Sequence, residues 1–136
     1  MTEVVRQVVR RPAQRCFEAF CDTRRLRSWV PGLRKARLVR ANDDGLPLEV
    51  LFEFGAALTY SLKYSYQVAQ RLVAWAPSSG APSAVRGFAS FAEHPDGCEM
   101  SYSFEAGEGR SPDERALSDA RSAAEAFARW IERGPR

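Results

Sequence analysis

Four tyrosines carry most of the chemistry that this sequence could offer. Tyr60, Tyr64, Tyr66 and Tyr102 all fall on strand faces whose spacing turns them inward, where a phenol must find a hydrogen-bond partner or a ligand. Proton transfer in an aldol-type closure needs a placed acid or base, and Tyr64 and Tyr102 are the candidate catalytic residues for it, with Tyr60, a buried arginine or Glu53 as further participants. Glu53 and Lys63 alternate onto the opposite faces from the aromatic rows, which argues against an ionisable pair inside. His94 is the single histidine, and it stands beside Pro95 in an expected hairpin turn. A turn is a poor place from which to exclude water, so Ser-His or Cys-His catalysis has little support. Cys16, Cys21 and Cys98 lack metal-ligand spacing and read as small buried hydrophobes; no metal is expected. There is no phosphate-cradling glycine loop or dinucleotide fingerprint, so no cofactor is expected either.

The elements that must position these residues follow from periodicity. Residues 3–10 alternate as a strand, but valines occupy both of its faces and leave the inner one open. Pro12 starts a short helix with Ala13, Cys16, Phe17 and Phe20 as its apolar stripe. Asp22 and Thr23 cap a second one over residues 24–29, stopped by Pro31 and Gly32. Residues 33–40 then alternate basic and apolar, and Asn42, Asp43, Asp44 and Gly45 make a hairpin turn. Two strands show the clearest period of two: Leu48, Val50, Phe52 and Phe54 share one face, as do Leu58, Tyr60, Leu62, Tyr64, Tyr66 and Val68. Further strands are expected over residues 71–76, 85–92 and 99–106, the last two flanking a turn at residues 93–97.

Residues 111–133 read as one long amphipathic helix, which the rest of the chain is built to hold. Ser111, Pro112, Asp113 and Glu114 form its start signal, and Gly134 and Pro135 its stop. Leu117, Ala120, Ala124, Phe127, Ala128 and Ile131 line one face, and at ~1.5 Å per residue such a helix is ~33 Å long. Its alanine-rich face either packs closely on the sheet or leaves room beneath. Trp29 is expected to pack the short helices onto the sheet, Trp130 to cover a sheet edge, and Trp75 to pack in the core or line a pocket.

The 136 residues, 45% of them hydrophobic, suit a single domain over residues 1–136. No apolar run approaches the ~20 residues that span a bilayer, and the N-terminal residues lack a signal-peptide core, so a cytoplasmic protein is expected. The net charge of +3 hides an asymmetry: residues 1–40 hold eleven Lys and Arg against three acids, the remainder nine against fourteen. Such a basic N-terminal face suits an acidic protein or an anionic membrane surface. It lacks the aromatic interleaving of nucleic-acid binders, and no DNA partner is expected.

The order is thus strand, two short helices, about six antiparallel strands and a long helix, an α+β arrangement in which a curved sheet of about seven strands wraps the last helix. With Val9, Arg10, Arg11 and Pro12, then Cys16 to Asp22, then Ser28, Trp29, Val30, Pro31 and Gly32, it resembles the helix-grip (SRPBCC, START-like) superfamily over essentially the whole chain. That group includes START-related lipid-transfer domains, the birch-pollen-allergen fold, polyketide cyclase/dehydrase-like proteins and coenzyme-Q-binding-protein-like members. The resemblance implies a cavity between the long helix and the sheet for a small hydrophobic or aromatic ligand: a lipid, a quinone or a polyketide. Its expected lining is Phe52, Phe54, Tyr60, Leu62, Tyr64, Trp75, Phe91, Tyr102, Leu117, Ala124 and Phe127. A binding or transport role leads, a polyketide cyclase or aromatase using cavity tyrosines is the enzyme alternative, and an interaction protein working through its basic face is the third. A homodimer through a strand edge or the alanine-rich helix end is equally compatible with the sequence.

Overall fold

Seven antiparallel strands form one sheet, and three α-helices cover its inner face, in a computed structural model that describes residues 4–30, 32–54, 59–77, 85–106 and 120–133. The strands are β1 (Val4–Val9), β2 (Lys35–Ala41), β3 (Pro47–Glu53), β4 (Thr59–Gln67), β5 (Leu72–Pro77), β6 (Val85–His94) and β7 (Gly97–Ala106). The helices are α1 (Ala13–Phe20), α2 (Leu26–Trp29) and α3 (Ala120–Glu132). The strand order is β1-β7-β6-β5-β4-β3-β2. Every strand pairs with its neighbour in sequence except β1, which pairs with β7 and leaves β2 at the far edge. The chain crosses from one edge to the other through α1 and α2. The start of the expected long helix, including Ser111 and Leu117, lies outside the described residues.

The open question of β1 is answered by burial. Val5 and Val9 are buried, whereas Val4 and Val8 are exposed on the outer face. Register carries the inner face across the sheet, through Val5 beside Tyr102 and Ala89 beside Tyr102, then Tyr64 beside Trp75 and Phe52 beside Tyr60.

Local chemistry sets the turns. The Asn42 carboxamide oxygen accepts from the N–H groups of Asp44 and Leu46, both at 2.9 Å, and Gly45 takes φ +86° to close the β2–β3 hairpin. The β6–β7 hairpin is tighter than its composition suggests, because His94 and Gly97 already pair and only Pro95 and Asp96 turn the chain. Gly97 has φ +141°, and a Cβ there would lie 2.3 Å from the Val9 carbonyl oxygen and 2.7 Å from the Arg11 nitrogen. Glycine is required both by its angle and by the backbone pressed against it.

Three expectations are corrected. The second helix is split: Asp22 caps a 3₁₀ turn, Thr23–Arg25, by accepting from the Arg24 N–H at 3.1 Å, and α2 follows it. β4 ends at Gln67, so Val68 sits in a 3₁₀ turn, Val68–Gln70, half exposed rather than inward. β2 is an exposed edge whose register slips between Leu38 and Arg40, which breaks the expected alternation of its faces.

The core has a dense end. α3 lies on β1, β7 and α2, while α1 lies on β6 and β7. There Phe91, Met100, Cys16, Cys98 and Phe127 are at most 1% exposed. Glu132 ties the end of α3 to the β1–α1 corner, its carboxylate accepting from the Arg10 N–H at 2.8 Å and its carbonyl from the Arg11 guanidinium at 2.5 Å.

Candidate ligand cavity

A cavity of about 60 Å³ lies at the other end of the core, where α2 rather than α3 faces the sheet. Phe20, at the end of α1, contributes one wall; Leu26, Trp29 and Val30 the second; and the sheet supplies Phe52, Phe54, Tyr60, Leu62, Tyr64, Trp75 and Tyr102. Strand alternation is the reason the sheet residues converge: Tyr60, Leu62 and Tyr64 are every second residue of one strand. Phe52, Phe54 and Tyr60 stack with centroids 5.7–6.3 Å apart. Phe20 lies 5.2 Å from Trp29, 5.9 Å from Trp75 and 5.5 Å from Phe127, so one ring borders both the cavity and the dense core. Val30, Phe54 and Tyr64 are half-buried and form the mouth.

Of the sequence-expected lining, Phe52, Phe54, Tyr60, Leu62, Tyr64, Trp75 and Tyr102 meet here. Phe91, Ala124 and Phe127 do not line it; they are packed at 0–1% exposure in the dense end, and Leu117 lies outside the described residues. Tyr66, which was not among the expected lining, packs partly buried against the core, and its phenol finds a hydrogen-bond partner, donating to the Pro47 carbonyl oxygen at 2.5 Å. Sequence reasoning missed Phe20, Leu26 and Val30 as lining and read Trp29 as packing, which it also does. The available signal was position: the last apolar residue of α1 and the apolar residues of α2 are the ones that a short-helix wedge turns toward a curved sheet.

Among the described residues no charged side chain lines the cavity. Burial, followed by neighbouring phenols and the Cys21 thiol, raises the Tyr64 pKa well above the usual tyrosine range. Burial also raises that of Tyr102, with Tyr60 adding to it. Both phenols therefore stay protonated near neutral pH, so neither is available there as a phenolate base. Burial likewise pushes Cys21 up to about 12. Among the described residues three buried side-chain polar atoms have no hydrogen-bond partner, Thr23 Oγ1, Trp29 Nε1 and Ser103 Oγ, and of these residues Trp29 alone lines the cavity. His94 stays in its hairpin, its Nδ1 accepting from the Asp96 N–H at 3.1 Å. The three cysteines are free and buried. Among the described residues no cluster of His, Cys, Asp and Glu could hold a metal ion, and no helix is long and apolar enough to cross a membrane.

A second depression, an open groove of about 550 Å³, lies between the α1–3₁₀ corner and the β2–β3 hairpin. Its walls mix charge and apolar surface, including Glu18, Asp22, Arg24, Arg37, Leu38 and Leu46. Asp22 is already occupied by Arg24 and Arg25 at 3.3 and 3.2 Å.

A seven-stranded curved sheet holding a C-terminal helix, with short helices after the first strand, defines the START-like helix-grip fold, and the chain has it. It is similar to a START superfamily protein from Mycobacterium smegmatis at 14% identity, with a TM-score of 0.70 over 97% of this chain and 93% of that one. It is also similar to TTHA0849 from Thermus thermophilus, at 8% identity and a TM-score of 0.77 over the whole of both chains. The di-domain ARO/CYC BexL from the BE-7585A biosynthetic pathway matches at 13% identity and a TM-score of 0.74, covering 99% of this chain and 48% of that one. No protein-family model matches the sequence, and no curated protein is significantly similar to it.

Proposed function

We propose that the protein binds and carries a small, neutral, hydrophobic or aromatic ligand in the cavity between α2 and strands β3, β4, β5 and β7. The observation that carries this reading is a cavity whose described lining is uncharged and mostly aromatic, inside a fold shared with START and ARO/CYC proteins. At about 60 Å³ the space is smaller than the cavity of about 150 Å³ that accepts benzene in an engineered protein core. A ring therefore enters as the half-buried side chains at the mouth, Val30, Phe54 and Tyr64, move outward. Native mass spectrometry of the purified protein, followed by solvent extraction, tests this: a retained apolar adduct is expected. A bare mass, together with failure to bind any of a panel of lipids, quinones and polyketide mimics, would overturn it.

Cyclase chemistry gains less support. Tyr64 and Tyr102 both border the cavity, but they offer acids without a base, and Glu53 lies outside the lining. Turnover of a poly-β-keto mimic that collapses in Tyr64→Phe or Tyr102→Phe would restore that reading.

A separate observation favours an anionic membrane as the surface from which such a ligand is collected. On the β2 edge, Leu38 and Val39 are 45% and 51% exposed within a run of Arg34, Lys35, Arg37 and Arg40. Aliphatic side chains that enter the interface beside cations that meet lipid phosphates give such binding, with about 1 kcal/mol per cation. Vesicles containing phosphatidylglycerol should sediment the protein and pure phosphatidylcholine vesicles should not, and Arg37→Glu with Arg40→Glu should release it. Equal partitioning to both vesicles, or none to either, rejects the membrane; capture by an acidic protein alone would replace it with that partner.

A further inference from the structure

Trp29 is 5% exposed, and its indole N–H pairs with nothing among the described residues. An indole nitrogen can only donate, so leaving it buried without an acceptor carries a penalty that a correctly placed oxygen would remove. The ring is held in place: Phe127 stands 5.1 Å from it and Phe20 5.2 Å, and the Val30 N–H closes the helical turn on Leu26 at 2.9 Å. It cannot swing toward a backbone carbonyl without giving up those contacts, and it borders the cavity.

What the described lining lacks is the second observation. With no Lys, Arg or His in it, a carboxylate head would be desolvated without a counter-charge. A pure hydrocarbon would leave the N–H as it is. The Tyr64 hydroxyl, on a half-buried residue of the same lining, adds a second donor, because burial keeps it protonated. Donors without charge are complementary to a neutral acceptor.

We infer that Trp29 is the specificity-determining residue of the cavity, donating its indole N–H to the carbonyl oxygen of a neutral aromatic ligand. The inference rests on the carrier reading above and names the ligand chemistry that such a carrier selects.

Three probes of nearly equal size and shape separate the possibilities: acetophenone, α-methylstyrene, in which CH₂ replaces the carbonyl oxygen, and benzoate. In isotope-labelled wild-type protein, acetophenone should move the Trp29 Nε1–H resonance downfield, and α-methylstyrene should leave it nearly in place. The resonance is assigned by its loss in Trp29→Phe. In Trp29→Phe the ratio of acetophenone to α-methylstyrene affinity should fall roughly tenfold, since that ratio cancels both the different hydration of the probes and the space opened by the smaller ring. Benzoate should bind neither protein. If both neutral probes bind but the Trp29 resonance responds alike to each, or the ratio does not change, the role of Trp29 is overturned and the carrier reading survives. Benzoate binding as tightly as acetophenone overturns the neutral class. If no probe binds, the carrier reading falls and this inference falls with it. The wild-type resonance needs no variant, so an unstable Trp29→Phe protein does not shield the proposal.

Discussion

One inner sheet face supports two unlike regions. Beneath α3 and α1, on β1, β6 and β7, Val5, Val9, Phe91, Met100 and Phe127 are at most 1% exposed. Beneath α2, where β3, β4 and β5 present larger rings, the same face leaves a cavity, a half-buried mouth and a donor with no partner among the described residues. The difference lies in what caps the sheet. The 13 residues of α3 place Ala120, Ala123, Ala124 and Ala128 flat on the strands with Phe127 and Ile131 filling between them, whereas the single turn of α2 props its space open with Trp29 and Leu26. Tight packing and receptivity are thus divided between two helices instead of competing for one.

Such a division makes damage severe at one end and mild at the other. Phe127→Ala should cost about 3–5 kcal/mol in denaturant unfolding, because a fully buried ring touching Phe20, Trp29 and Phe91 leaves a void that cannot collapse. A loss below about 1 kcal/mol would mean that the dense end is as yielding as the cavity. Gly97→Ala should cost about 3 kcal/mol, since the Cβ meets backbone atoms of Val9 and Arg11 that cannot step aside. Ordinary stability in that variant would refute the close approach of the β6–β7 turn to the end of β1.

The receptive half should be sensitive to alkali. Burial holds Cys21 protonated in the folded chain up to about 12, against 9.0 for an ordinary thiol, so between these values the folded state binds more protons than the unfolded one. The stability contributed by the neutral thiol is complete below about pH 9 and declines as pH rises toward 12. Urea melts from about pH 8 to about pH 10.5 should show this fall, and Cys21→Ala should flatten it; parallel slopes for the two proteins would exclude Cys21 as a source. The smallest effects form a pair. Tyr66→Phe loses the bond to Pro47 and should cost about 1 kcal/mol, whereas Tyr64→Phe removes the hydroxyl of a half-buried residue at the cavity wall and should cost less than about 0.5 kcal/mol. Equal losses would show that Tyr64 is a structural phenol and not a polar group facing a ligand.

Much of this arrangement was legible in the residues, for physical reasons. Period-two alternation through Phe52, Tyr60, Leu62 and Tyr64 is strong because each strand has one dry face, and the inward faces so read contain seven of the cavity's residues. Asp22, Asn42 and Gly97 announced a cap and two turns through their own chemistry. The fate of Phe91, Ala124 and Phe127 was not legible, because periodicity reports which face is inward but not whether that part of the face meets another side chain or a space. The packing role expected of Trp29 holds, but its place in the lining was not legible for a related reason: packing and lining are not exclusive, and its ring does both. The slip in β2 had no local signal, since Leu38 and Val39 suit a paired strand as well as a bulged edge.

The aromatic chain through this molecule has an optical consequence. Tyr64 lies 6.3 Å from Trp75, Trp75 5.7 Å from Tyr102 and 5.9 Å from Phe20, and Phe20 5.2 Å from Trp29. At such separations light absorbed by the phenols is emitted by the indoles, and two of the three indoles stand at the cavity wall. The protein carries its own fluorophores beside the space where a guest would sit, and occupancy can be followed by its ultraviolet emission with no label attached.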